Sequence, residues 1–377
     1  MIVCDPLSHL VAGSMISTIR FANHLRARGH KVIFAEAKNK SKEDKIIWKG
    51  FKVYKFFSFF LPGSDGQYPL AFATKKRIRR ILYEEKIDIV HAIDPTPLSI
   101  AFIKVANELG IKNLIHAHLQ PENIAFGIPK ILNSERFKKL VYKYMIWIYR
   151  KTAMVISPSK FGKELLNQHD RNLKIHVISN GVSLERFKVL SNGRSKNGNL
   201  LFVGRLAGEK SVDTIIKAMP LVIKKHPEVK LDIVGCGPLS KKLHTLAMEL
   251  EIGRSINFHG RVTSAKLLAL YQMADIFVLP SVAELEGIVV LEAMACGKPI
   301  IISDSKDSAA THFVDGNGLT FKLGNHHDLA SKISFLLQNE IIRQKMGQRS
   351  SKNVRQYDIR ASVDKLEKLY NSLRCKT

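Results

Sequence analysis

Short runs of apolar and β-branched residues alternate along the chain with longer segments whose apolar positions recur at helical spacing. That alternation is the sequence form of βαβ units, and runs that are apolar throughout suit a parallel sheet covered on both faces. In the first half "MIVCD", "KVIFAEA", "FKVYKF", "IDIVHAID", "NLIHAH", "AMVISPS" and "KIHVISNG" read as strands; in the second, "LLFVG", "KLDIVG", "INFHG", "IFVLPS" and "PIIISD" do, with "GLTFKL" as a last strand-like piece. Two parallel sheets in series are expected. Beyond "GLTFKL" the pattern is helical except for a break near Gln356. Residues 190–199, "LSNGRSKNGN", carry almost nothing apolar before a new buried strand begins at Leu200, so a linker is placed there. The expected domains are 1–190 and 191–355, with 356–377 as a terminal helix.

The length of 377 residues fits two domains of comparable size. Cys4, Cys236, Cys296 and Cys375 show no short spacing, which argues against a disulfide framework or a zinc site and for a reducing cytoplasm. "MIVCDP" lacks the basic flank and apolar core of a signal peptide, and no apolar run is long enough to span a bilayer. The expected location is cytoplasmic.

Charge adds a constraint. The net charge is +26, and residues 1–190 hold 32 Lys and Arg against 15 Asp and Glu, a net +17. Such a surface suits any polyanion, nucleic acid or anionic membrane alike.

Candidate chemistry concentrates in "SVAELEGIVVLEAMACGKPII", residues 281–301. Gly287 opens a helix that Gly297 ends, with Pro299 just beyond. Ligands of open parallel sheets collect where strands end and helices begin, so residues 284–289 face such a site. The amides of Gly287, Ile288 and Val289 suit a phosphate. Glu292 leans back toward it and Glu284 reaches past it, giving one carboxylate for a ribose diol and another for a sugar. In "FVGRLAGEKSVDTIIKAM", Arg205 and Lys210 sit in a strand-to-helix loop, where two cations would clamp a diphosphate as it leaves.

Taken together, the E-x7-E pair Glu284 and Glu292, "VGRLAGEKS", "VGCGP" at 234–238, "FHGRV" at 258–262, "SPSKF" at 157–161 and "ISNGV" at 178–182 resemble the family 4 retaining glycosyltransferases of GT-B fold. The resemblance implies two Rossmann-like domains facing a central cleft, with helix 356–377 crossing back to the N-terminal domain. It implies a nucleotide-sugar donor bound by Gly204, Arg205, Lys210, Gly235, Gly260, Val262, Glu284, Gly287, Ile288, Val289 and Glu292. Arg205 and Lys210 would bind the diphosphate, Glu292 the ribose, Glu284 the sugar, and backbone near Gly260 and Val262 the base. The acceptor side would include Gly13, His116 and His118, with His118 counted among the catalytic residues beside Arg205, Lys210 and Glu284. No cofactor and no metal are expected, since no DxD-like pair is present and the two cations with the helix terminus take a metal's place.

The chain departs from the family pattern at Glu286, where an aromatic is usual, at Ser183, where Asp is frequent, and in "SDSKDSAATHFVDGNG". These variants, with "QPEN" and "ELEG", look most like a diacylglycerol glucosyltransferase-like subgroup. Three basic, aromatic stretches, "WKGFKVYKFFSFFLPG", "TKKRIRRILYEEK" and "RFKKLVYKYMIWIYRKT", suit an anionic membrane interface. They equally suit stacking on single-stranded nucleic acid. The reading adopted is a retaining, metal-independent hexosyltransferase, peripheral on the inner face of the cytoplasmic membrane, with no nucleic acid partner. It moves a sugar from a UDP-sugar, or a GDP-sugar, to a lipid or lipid-linked glycan. The alternatives are a GT-B epimerase and a transferase with a soluble or polysaccharide acceptor.

Overall fold

The computed structural model describes residues 2–3, 13–38, 44–60, 69–125, 135–187 and 198–374. The chain falls into two compact units: one comprises Met1–Pro121, Lys130–Asn180 and Ile359–Thr377, the other Glu122–Pro129 and Gly181–Asp358. The linker expected at 190–199 lies outside the described residues apart from Gly198 and Asn199.

The unit boundary falls earlier than 190. Val182 and Phe187 are fully buried in the core of the second unit, and the Val182 N–H donates to the Tyr357 carbonyl at 2.9 Å. At the far end Val354 and Tyr357 belong to that same core, so the first unit resumes at Ile359 rather than at 356.

In the second unit six parallel strands lie in the order Ile256–Gly260, Leu231–Val234, Leu200–Val203, Ile276–Leu279, Ile300–Ser303, Gly318–Phe321. Numbered by sequence this is 3-2-1-4-5-6, the doubly wound order whose crossovers reverse direction beside the first strand. Leu200–Val203, Ile276–Leu279 and Ile300–Ser303 are buried at every position, as strands covered by helices on both faces must be. The pairing of Leu231–Val234 with Ile256–Gly260 shifts after Ile233, so that Gly260 rather than His259 stands opposite Val234. The bulged His259 ring bonds Asp232 Oδ1 at 2.6 Å instead.

In the first unit the strands run Ile175–Val177, Met154–Ser157, Lys112–His116, Ile89–Ile93, Ile2–Val3, Ile33–Ala37, Phe51–Phe56, Lys45–Trp48. All neighbours are parallel except the last pair, where Lys45–Trp48 adds an antiparallel edge that the sequence pattern did not single out. Its alternation of exposed and half-buried positions is that of an edge strand and lacks the apolar run used to find the others. The helix Ile359–Arg374 closes this unit. Ile359, Val363, Leu366, Leu369 and Leu373 form its buried stripe and pack on Phe21 and Leu25 of the helix Gly13–Ala27 and on Leu114, Met154 and Ile156.

The stretch 48–63 corrects one expectation. Phe51 and Phe56 are core residues of a sheet strand, and Lys55 is buried in an ion pair with Glu36. Of the described aromatic side chains of this stretch, Phe57 and Phe59 are exposed, at 70% and 47%, and 61–63 lie outside the described residues. Lys–aromatic alternation in this segment therefore reflects a strand.

Candidate active site

The reversal point of the second sheet lies between Leu200–Val203 and Ile276–Leu279. The first strand exits into Gly204, Arg205 and a tight 3₁₀ turn at Gly208–Lys210, then the helix Val212–Ile223. The second exits through Ser281 into the two-residue strand Ala283–Glu284, then Gly287 and the helix Ile288–Ala295. Two bonds tie these exits together. The Val282 N–H donates to the Glu209 carbonyl at 2.8 Å, and Lys210 Nζ donates to Glu284 Oε1 at 2.5 Å. Ala283–Glu284 is itself held by parallel pairing with Asp307–Ser308 and by a hydrogen bond from Ser305 Oγ to the Val282 carbonyl.

Arg205 meets a second carboxylate. Its Nη2 and Nε donate to Glu209 Oε1 at 2.6 and 3.1 Å, and the Glu209 side chain is only 3% exposed against 35% for Arg205. Both cations expected at the diphosphate thus stand in one loop, each facing an enclosed carboxylate.

Gly287 adopts φ +92°, a conformation that disfavours any side chain, and provides no side-chain oxygen to cap the helix that follows. The first-turn amides, including Ile288 and Val289, therefore carry the partial positive charge of a helix start. Glu292 lies inside the fold at 4% exposure, with Tyr271 Oη 3.0 Å from its Oε2 and 3.3 Å from the Val289 carbonyl. Tyr271 thereby fixes both Glu292 and the helix start. Glu286 is buried too.

Gly204, Gly235 and Gly260 form a backbone seam across three neighbouring strand ends. The Gly204 N–H reaches the Val234 carbonyl at 3.0 Å and the Gly235 N–H the Gly260 carbonyl at 2.9 Å. A Cβ on Gly235 would lie 1.9 Å from the Gly204 carbonyl oxygen, so the chain's own backbone already requires glycine there. Val262 is half-buried against the core, one residue before Thr263, which caps the helix Ser264–Met273.

In the first unit Gly13 is the exposed first residue of the helix Gly13–Ala27, and residues 4–12 before it lie outside the described residues. His116 ends its strand and is buried; its ring stacks on His118 at 4.2 Å and lies 5.8 Å from His91, whose Nδ1 is 2.7 Å from Tyr370 Oη. His116 also packs edge-on against Phe21, so it is a core residue. His118 is half-buried, and burial pushes its pKa down to about 4, which leaves a neutral imidazole near pH 7. Its loop is set by Asp94, whose Oδ1 accepts the N–H groups of His118 and Leu119, each at 2.7 Å. Asp94 holds φ +58°, and burial raises its pKa to about 6 despite those two bonds.

Sequence reasoning passed over Glu209, Tyr271 and Asp94. The signal for Glu209 was its four-residue offset from Arg205 in a turning segment; that for Asp94 was an Asp-Pro step at a strand end. Tyr271 carried none, because its contact spans distant parts of the chain.

Comparison with known proteins agrees with this architecture. The family described as "Glycosyl transferases group 1" matches residues 185–353, and "Glycosyltransferase Family 4" matches residues 11–186. The chain is 27% identical over 308 residues to the alpha-monoglucosyldiacylglycerol synthase of Streptococcus pneumoniae, covering 77% of this chain and 68% of that protein. It is 26% identical over 361 residues to the sulfoquinovosyl transferase SQD2 of Arabidopsis thaliana, covering 92% and 68%. The crystal structure of Anabaena HepE in complex with UDP and glucose superposes with a TM-score of 0.77 at 19% identity, covering 98% of this chain and 99% of that one. With two adjoining family matches from residue 11 to 353 and a GT-B fold, the chain belongs to the family 4 glycosyltransferases.

Proposed function

We propose that the chain transfers a hexosyl group, with retention at the anomeric carbon, from a nucleoside diphosphate sugar to a hydroxyl of a membrane lipid or lipid-linked glycan. The observation that carries this reading is the Lys210–Glu284 pair beside the glycine-capped helix start, at the reversal point of a doubly wound sheet. Cation, carboxylate and aligned amides are the groups that a diphosphate linked to a polyhydroxylated sugar requires.

Lys210, Arg205 and the amides of Ile288 and Val289 offset the charge that grows on the diphosphate as the anomeric C–O bond breaks. The acceptor hydroxyl attacks from the face the diphosphate leaves, and a departing phosphate oxygen takes its proton. No protein nucleophile and no metal enters this scheme. Glu284 accepts hydrogen bonds from sugar hydroxyls, Glu292 from the ribose, and the seam at Gly235, Gly260 and Val262 lies beside the base. A neutral His118 on the first unit can hydrogen-bond an acceptor hydroxyl but adds no positive charge.

A UDP donor is favoured by HepE, solved with UDP and glucose, and a lipid acceptor by the relative named as an alpha-monoglucosyldiacylglycerol synthase. The basic first unit fits work at the inner face of an anionic membrane. Among the described residues no helix is long and apolar enough to cross one. The test incubates the protein with UDP-glucose, UDP-galactose and GDP-mannose and a total lipid extract, with products read by mass spectrometry and anomeric configuration by NMR. An α-linked glycolipid from an α-linked donor is expected. A β-linked product overturns retention, and sugar transfer only to water-soluble acceptors overturns the lipid half.

A further inference from the structure

Glu209 is absent from the set of residues read as holding the donor, yet it is the most enclosed charged group of that loop, at 2% exposure. Three connections meet on or beside it. Its carboxylate holds Arg205, its carbonyl accepts the Val282 N–H of the facing loop, and the next residue, Lys210, reaches Glu284. Its grip on Arg205 is also particular. A single oxygen, Oε1, receives both Nε–H and an Nη2–H, two of the five guanidinium donors, while Oε2 has no hydrogen-bond partner among the described residues.

Charge attraction alone does not account for this arrangement. A loop built only to draw in a diphosphate would not bury a carboxylate against its own cation, because the negative charge weakens the field of Arg205 toward an anion. A pair kept for stability would engage both oxygens in the fork-to-fork geometry that maximises bonding. The observed contact instead fixes the plane of the guanidinium from its inner edge, with the anchor enclosed and the head about a third exposed.

We infer that Glu209 is a positioning residue, whose buried carboxylate orients the Arg205 guanidinium toward the donor diphosphate. This inference rests on the proposed donor site. Pre-orientation removes the entropic cost of ordering a long side chain when the ligand arrives, which outweighs the partial loss of charge.

Calorimetry with UDP on the full chain and on Glu209→Ala, Glu209→Gln, Arg205→Ala and the Arg205→Ala/Glu209→Ala double variant tests it, with thermal melting of each. Removing a hydrogen bond to a charged group corresponds to a loss of about ten- to hundred-fold in affinity. Such a loss is expected in Arg205→Ala and in Glu209→Ala, and the double variant should bind no worse than Arg205→Ala alone. Glu209→Gln, which keeps the accepting oxygen, should recover most of the affinity. Multiplicative losses in the double variant, or tighter UDP binding by Glu209→Ala, overturn the positioning role. If Arg205→Ala binds UDP as the wild type does, the donor-site reading itself fails and the inference falls with it. If Glu209→Ala does not fold, Glu209→Met, which fills similar volume without an accepting oxygen, takes its place: affinity as poor as that of Arg205→Ala supports the positioning role, and wild-type affinity overturns it.

Discussion

Lys210 Nζ and Glu284 Oε1 lie 2.5 Å apart, although 74 positions separate the two residues in the chain. The contact joins the exits of two adjacent strands, so the sheet order rather than local sequence brings them together. It also means that a cation and an anion proposed for different parts of one donor satisfy each other in the free chain. On the proposed donor site a bound diphosphate would compete for Lys210, and a sugar hydroxyl would replace the ammonium at Glu284.

The two carboxylates of the E-x7-E pair should therefore behave differently. Glu284→Gln is expected to slow transfer roughly 10²-fold while changing nucleoside diphosphate affinity little, because the group proposed to meet it in the bound donor is the sugar. Glu292→Gln is expected to weaken nucleoside diphosphate binding, as is Tyr271→Phe by a smaller amount, near 1 kcal/mol for one hydrogen bond. Calorimetry with UDP, set beside turnover, separates them. Equal loss of UDP affinity in both glutamate variants contradicts the division.

Membrane attraction should centre on the helix Lys75–Glu84. Its Ile78, Ile81 and Leu82 are buried, while Tyr83 is 86% exposed. Lys75 and Arg79 both bond Glu108, at 2.6 Å each, so part of the local positive charge is already balanced. Replacing Lys75, Lys76, Arg79 and Arg80 with Gln should weaken binding to anionic vesicles by about tenfold or more at low salt, on the order of 1 kcal/mol per effective cation. UDP affinity should not change. Sedimentation with phosphatidylglycerol vesicles checks this, and indifference of the wild type to anionic lipid would exclude the surface.

Stability should fall on mild acidification. Burial holds His91 at about 3, His116 well below its ordinary value and His118 at about 4. Unfolded imidazoles titrate near 6.5, so between about pH 4 and 6.5 the unfolded chain binds more protons. The contribution is fully present above about pH 6.5 and is lost as the pH drops through that window. Asp94, raised to about 6, acts in the opposite sense, because the folded chain takes up its proton first. Three groups outweigh one. Urea unfolding at pH 7.5 and pH 5 should show a clear loss at pH 5, with a shallower dependence in His116→Phe. A midpoint constant across that range would refute the buried ladder as the cause.

The extent to which sequence alone revealed these features differs by kind of interaction. Strands such as "LLFVG" and "IFVLPS" could be read because burial on both faces leaves an unbroken apolar run, and the helix ends at Gly287 and Gly297 because left-handed backbone calls for glycine. The pairings could not. Glu209 reads as a charge beside a lysine until the fold encloses it, and Asp94 reaches His118 from 24 residues away. In "FKVYKF" alternating lysines resembled an interfacial pattern, because Lys55 is buried by a partner, Glu36, that lies on the neighbouring strand.

The first unit is left at Asn180 and resumes only at Ile359, so the second unit is in effect inserted within it. During synthesis the second unit has all its strands available while the first still lacks the helix that covers Phe21, Leu114, Met154 and Ile156. Domains that emerge first usually fold first, but here the order of completion is inverted. The N-terminal sheet must wait, partly uncovered, for the arrival of Ile359–Arg374, and that interval is when a nascent chain of this kind most needs a chaperone.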